Sequence, residues 1–192
     1  MAKKNKIEII KVLIENQEEE LNIAKIAKYS EIDYKNTYLI VKNLEKEKLV
    51  SLKSFGKNKK VVLNKKVHPL ILEAEFERRK KLFKNKNFLI IAKNLSSLNF
   101  PFIALLFGSY ARGTVQKGSD IDLLIICEKN RKEKIRETID LFPLDIHLNI
   151  FSFEDFMKML KTKEFNVTLE AVKNNVILVG IEDYYRLIEN AE

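Results

Sequence analysis

Apolar positions along the chain recur first with a helical period, then with a period of two, then in short continuous runs. Ile7, Ile10, Leu13 and Ile14 have helical spacing, which predicts a first helix closed by the acidic run at 18–20. Asn22 is a good N-cap for a second helix that turns Ile23, Ile26 and Ala27 inward. After a turn at 29–32, Asp33 caps a third helix running to about Lys48, with Tyr34, Tyr38, Val41 and Leu44 or Glu45 in register. The period then changes to two: residues 49–53 and 61–63 predict paired strands around a tip at 54–60. Pro69, tolerated in a first helical turn, opens a charged helix to about residue 86. Phe88, Ile91, Leu95 and Leu98 give a further helical stripe, and the run 103–107 reads as a strand buried on both faces. A second apolar run begins at Ile121, residues 144–150 alternate strictly, and Ser152 starts a helix with a near capping box. Residues 170–180 read as helix end, turn and last strand.

Composition adds a globular chain of 192 residues, 46% hydrophobic, with one cysteine and therefore no internal disulfide. Cys127 ends an apolar strand and reads as buried and inert. No apolar run approaches the roughly 18 residues that span a bilayer, and the first ten residues lack a signal-peptide pattern, so no membrane association and a cytoplasmic location are expected. The net charge of +8 is uneven: residues 1–68 hold 16 Lys/Arg against 9 Asp/Glu, residues 69–192 hold 19 against 18. Three helices followed by a hairpin, with that basic excess, resemble the winged helix-turn-helix domains of prokaryotic regulators. The resemblance implies double-stranded DNA as a partner. Lys35, Asn36, Thr37, Lys42 and Asn43 are then placed to meet base edges, and Lys57, Lys59 and Lys60 at the hairpin tip to meet phosphates. A solvated face that mediates protein contacts is the alternative. Arg78, Arg79, Lys80 and Lys81 in the next helix read as solvated.

The chemistry concentrates in residues 107–127. Gly108 and Ser109 end a buried strand and open a turn whose backbone N–H groups suit phosphate oxygens. Asp120 and Asp122, two apart at the start of the next strand, point to the same face and offer a carboxylate pair to a hard divalent cation. Two look-alikes fail. Gly113 and Gly118 have P-loop spacing, but Ser119 and Asp120 stand where Lys and Ser/Thr are needed; Gly108-Ser109-Tyr110 lacks the second glycine of a nucleophile elbow. On the third strand Asp145, His147 and Asn149 share the face opposite Leu144, Ile146, Leu148 and Ile150. His147 reads as a structural hydrogen bonder.

Gly108-Ser109, Gly113 and Ser119-Asp120-Ile121-Asp122-Leu123 together resemble the signature of the nucleotidyltransferase superfamily related to DNA polymerase beta, closest to the minimal nucleotidyltransferase antitoxins. The resemblance covers about residues 88–192. The two resemblances together imply an α/β (α+β) chain: a winged helix-turn-helix at 1–68, a basic connector helix at 69–86, and at 87–192 a nucleotidyltransferase fold with a small mixed sheet flanked by helices. By the family mechanism Asp120, Asp122 and Asp145 are catalytic and hold two Mg²⁺ ions, Asp145 at the metal nearest the acceptor hydroxyl, whose proton it helps remove. In-line attack on the α-phosphate of ATP releases pyrophosphate. Gly108 and Ser109 bind the terminal phosphates, Arg112 and Lys117 are candidate phosphate contacts or ordinary surface bases, and Ser119 orients the turn before the aspartates.

Small members of this kind are often antitoxin partners of HEPN-domain ribonucleases, which they inactivate by attaching AMP to a tyrosine. The resemblance thus implies a protein adenylyltransferase with a HEPN-type partner, a DNA-bound N-terminal module and, since half-sites come in pairs, a homodimer. Two alternatives stay open: a transcription regulator whose nucleotidyltransferase fold serves as nucleotide sensor or dimerisation platform, and nucleotide addition to RNA or a small molecule.

Overall fold

The computed structural model describes residues 2–55, 58–162 and 166–190, and these fall into two compact units, Met1–Phe76 and Glu77–Glu192. In the first unit, α1 (Ala2–Glu15) buries Ile7, Ile9, Ile10, Val12, Leu13 and Ile14, each worth roughly 1.5–3 kcal/mol when fully removed from water. It ends at Glu15, before the acidic run, as Asn16 and Gln17 turn their side-chain amides back onto the Val12 and Ile14 carbonyls. Helix α2 (Ile23–Ser30) starts at Asn22, whose side chain accepts from the Lys25 N–H at 2.9 Å. Helix α3 (Tyr34–Lys46) starts at Asp33, which accepts from the Asn36 N–H at 3.0 Å.

The inward face of α3 differs from the expectation. Thr37, Val41 and Leu44 are buried at helical spacing, whereas Tyr34 and Tyr38 are 58% and 43% exposed. Thr37 donates its hydroxyl to the Asp33 carbonyl at 3.0 Å and is 0% exposed, so it cannot face a base edge; its placement among DNA-contacting residues is corrected. Strands β1 (Val50–Phe55) and β2 (Asn58–Leu63) pair antiparallel in the register Ser54 to Lys59 and Lys53 to Lys60. Cross-strand pairing therefore continues much further than the alternation suggested, and Lys59 and Lys60 lie along β2 rather than at a tip. Lys57 lies outside the described residues.

The division between the units falls inside α4 (Pro69–Leu82). In the second unit Arg78 is buried and donates to the Asn175 carbonyl at 2.7 Å, while Arg79 donates to the Leu178 carbonyl at 3.0 Å. These guanidinium groups are docked on backbone rather than solvated. Helix α5 (Lys86–Ser96) leads to β3 (Ile103–Phe107), the short helix α6 (Gly108–Arg112), β4 (Ile121–Ile126), α7 (Lys132–Ile139), β5 (Ile146–Phe151), α8 (Phe153–Lys161), α9 (Val167–Lys173), β6 (Val176–Val179) and α10 (Ile181–Glu189). The strands form a mixed sheet in the order β5-β4-β3-β6, with β4 and β5 parallel and the other pairs antiparallel. This is the α+β architecture expected, with a small mixed sheet among helices.

Strands β3 and β4 are apolar on both faces because both faces are covered. Ala104, Leu106, Leu123 and Ile125 pack in one core with Phe88, Ile91 and Leu95 of α5 and Ile135 and Ile139 of α7. Their neighbours Ile103, Leu105, Leu124 and Ile126, pointing the other way, are equally buried. Helix α10 goes beyond the elements expected, although Ile181, Tyr184, Tyr185 and Ile188 have the spacing of one buried face. Gly180 joins it to β6 at φ 78°, where a Cβ would lie 2.8 Å from the Phe102 carbonyl oxygen.

Candidate active site

The site forms where β3 ends beside the start of β4. Asp122 is level with Phe107 of β3 on one side and His147 of β5 on the other. Phe107 is followed at once by Gly108, whose φ of +69° turns the chain into α6. A Cβ built on Gly108 would lie 2.0 Å from Oδ2 of Asp122. Position 108 is thus restricted to glycine twice, by a left-handed backbone and by a carboxylate occupying the place of a side chain. Gly113, at φ 71°, ends α6, its N–H donating to the Ser109 carbonyl.

Three possible ligand groups converge here. Single donor atoms of Asp120, Asp122 and His147 all lie within 4.8 Å of one another, and His147 Nδ1 is 3.3 Å from Asp122 Oδ1. Asp120 is exposed, the Asp122 side chain is 20% exposed and that of His147 63%. Burial, then the neighbouring Asp120 charge, push the Asp122 carboxyl above its usual value; His147 pulls it back and Glu170 pushes it further up. A half-buried carboxylate with a second one beside it is stabilised by added positive charge, and two carboxylates with an imidazole suit a divalent cation. The residues present fit a divalent cation.

Asp145 does not join this group. Its carbonyl accepts from the Ile121 N–H at 2.9 Å, which puts it two positions ahead of the Asp122–His147 pair, level with Asp120. Residues two apart on a strand share a face but stand roughly 6.6 Å apart along it, so register selects one of them as the partner of Asp122. The residue level with Asp122 is His147, which falls with Asp120 and Asp122 inside 4.8 Å, while Asp145 stands level with Asp120 on the same strand face.

The other expected residues spread around this centre. Ser109 is half-buried beside Gly108. Arg112 pairs with Glu170 of α9 at 3.1 Å, an interaction that no local pattern announces because two helices distant in sequence create it. Lys117 is exposed. Ser119 accepts from the Gln116 N–H at 3.0 Å, so its hydroxyl fastens the loop that delivers the aspartates. In the first unit Lys35, Asn36, Asn43 and Lys59 are exposed, while Lys42 and Lys60 are half-buried, Lys42 paired with Glu45 at 2.8 Å. Among the described residues no helix is long and apolar enough to cross a membrane.

Residues 90–178 match the family model of the nucleotidyltransferase domain, a span that includes Gly108, Ser109, Asp120, Asp122, Asp145 and His147. The match supports nucleotidyl transfer as the general class of activity. No match was found among curated proteins or among solved structures.

Proposed function

We propose that the chain transfers AMP from ATP to a hydroxyl of a partner protein of the HEPN type, and that its N-terminal module is a winged helix-turn-helix bound to DNA. The observation that carries the transfer reading is the fit of Gly108 against Asp122: a side-chain-free turn pressed onto a half-buried carboxylate, with Asp120 and His147 beside it. The nucleotidyltransferase family match over 90–178 supports the same reading.

In this mechanism the turn at Gly108 and Ser109 receives the β- and γ-phosphates, with the Ser109 hydroxyl and backbone N–H groups as donors. Asp120 and Asp122 would hold a divalent cation, which would supply positive charge to the triphosphate and to the oxygens that gain charge. Asp145, exposed on the strand face that also carries His147, accepts the proton of the acceptor hydroxyl. That oxygen bonds to the α-phosphorus as the bond to pyrophosphate breaks. Arg112 exchanges Glu170 for a phosphate oxygen when nucleotide enters, and Lys117 adds positive charge at the rim.

DNA binding is supported by the basic excess of residues 1–68 and by the exposed Lys35 and Asn36 in the first turn of α3. The HEPN-type acceptor rests on the likeness to minimal nucleotidyltransferases alone. The test is incubation with α-labelled ATP and a divalent cation beside a HEPN protein encoded next to this chain. The partner should acquire label, and Asp120→Asn with Asp122→Asn should reduce labelling by at least about 10³-fold, the scale at which loss of an electrostatic catalytic group is felt. Label retained by the double variant would overturn the site assignment; label on RNA or a small molecule instead would overturn the acceptor.

A further inference from the structure

We infer that His147 is a direct metal ligand, and that the site it forms with Asp120 and Asp122 selects a transition ion of the Mn²⁺ type over Mg²⁺. The inference rests on the transfer reading only for the existence of a metal at this place. Its content is the nitrogen ligand and the discrimination that follows.

The backbone register carries it. Strand β5 runs parallel to β4, and Asp122 is level with His147, so the imidazole and the carboxylate rise from adjacent strands on the same face. Nδ1 of His147 lies 3.3 Å from Oδ1 of Asp122, long for a charge-assisted hydrogen bond, and all three donor groups fall within 4.8 Å. Two ligands of one ion stand at most twice the metal–ligand distance apart, about 4.0–4.4 Å for the oxygen and nitrogen donors of first-row ions. Small side-chain rotations close that gap. The wide exposure of His147 and Asp120 leaves coordination positions for phosphate oxygens and water.

Ligand chemistry supplies the selectivity. Mg²⁺ holds oxygen donors in near-ideal octahedral geometry and keeps its waters, so an imidazole adds little to its affinity. Affinity for nitrogen rises along the first transition row from Mn²⁺ to Cu²⁺, so Mn²⁺ gains least from an imidazole among these ions, but unlike Mg²⁺ it does gain while keeping the carboxylates. A site of two carboxylates and one imidazole therefore binds Mn²⁺ more tightly than a carboxylate pair alone, while its affinity for Mg²⁺ is set by the aspartates.

The competing account is that His147 merely hydrogen-bonds Asp122 and leaves when metal arrives. Electron-spin-echo spectroscopy of Mn²⁺ bound to the full wild-type chain separates the two without any variant. Modulation from a directly coordinated imidazole nitrogen is expected, and its absence from bound Mn²⁺ overturns the inference. Titration of the metal-free chain adds the second readout. In His147→Ala, the Mn²⁺ dissociation constant should rise at least about tenfold, the lower end of what loss of even an outer partner of a ligand costs, and the Mg²⁺ constant by much less. Asp145→Ala should keep the nitrogen modulation. Equal losses of Mn²⁺ and Mg²⁺ affinity in a folded His147→Ala chain overturn the selectivity. Mn²⁺ that binds through oxygen alone, together with intact AMP transfer, defeats this inference and spares the transfer reading; a wild-type chain that binds no metal defeats both.

Discussion

Asp122 combines two demands that conflict. It must be ionised to hold a cation, yet it is half-buried, with Asp120 and Glu170 nearby and the Gly108 backbone against its Oδ2. Its carboxyl is pushed above the usual value, so in the metal-free chain the folded state holds this proton more tightly than the unfolded state, where the value is about 3.9. The sign follows: below about pH 4 the group costs no stability, and as pH rises through the raised native value the cost appears in full. Asp122→Asn should accordingly raise the melting temperature of the metal-free protein at pH 7, and that advantage should disappear in scans near about pH 3.5, below the unfolded value. Calorimetry with a chelator present checks this, and a variant that melts below the wild type at pH 7 would contradict it. The same residue shows what could be read beforehand. Spacing alone placed Asp120 and Asp122 together and put Asp145 and His147 on one strand face. Which of those two meets Asp122 depends on how β5 slides against β4, and no local signal encodes that register.

Elements were legible where one segment carries its own punctuation. Asn22, Asp33 and Ser152 cap the helices they were expected to cap, and the continuous apolar run at 103–107 is a strand buried on both faces. The misreadings arose where partners decide. Helix α3 turns Thr37, Val41 and Leu44 inward although two tyrosines offered a more apolar face, and β1 and β2 continue through lysine and serine because cross-strand pairing holds them. That second difference changes the expected approach to DNA. Lys53 stands directly opposite Lys60 and Ser54 opposite Lys59, so positive charge runs along the ribbon. If the ribbon lies against phosphates, Lys59→Ala with Lys60→Ala should lower the slope of log affinity against log salt by about 2, roughly 0.9 for each phosphate no longer neutralised, with little change in sequence preference. Fluorescence anisotropy on a duplex at several salt concentrations measures it, and an unchanged slope would remove the ribbon from the interface.

For the molecule as a whole, α4 matters more than a connector would. Arg78 holds the carbonyl of Asn175 just before β6 and Arg79 that of Leu178 within it, and Leu82 and Phe83 pack against the core beneath the sheet. The charged stretch that reads as solvated from sequence includes fasteners of the second unit, which a count of lysines and arginines cannot reveal. A fragment 77–192 should therefore outlast a fragment 87–192 in urea by about 2–5 kcal/mol, given two hydrogen bonds to charged donors and the apolar packing of Leu82 and Phe83. Equal denaturation midpoints and slopes would show that the first residues after Phe76 contribute nothing.

His147 belongs to β5, which stands at one end of the strand order and is only half-buried along most of its length. End strands open locally at a fraction of the free energy that unfolds a sheet's centre. A cation ligated by His147 as inferred above would favour the docked strand, and undocking β5 would remove the imidazole while leaving the Asp120 and Asp122 carboxylates in place. Metal concentration would thereby bias the docking of this one end strand, while β3 and β4 are buried at the centre of the sheet.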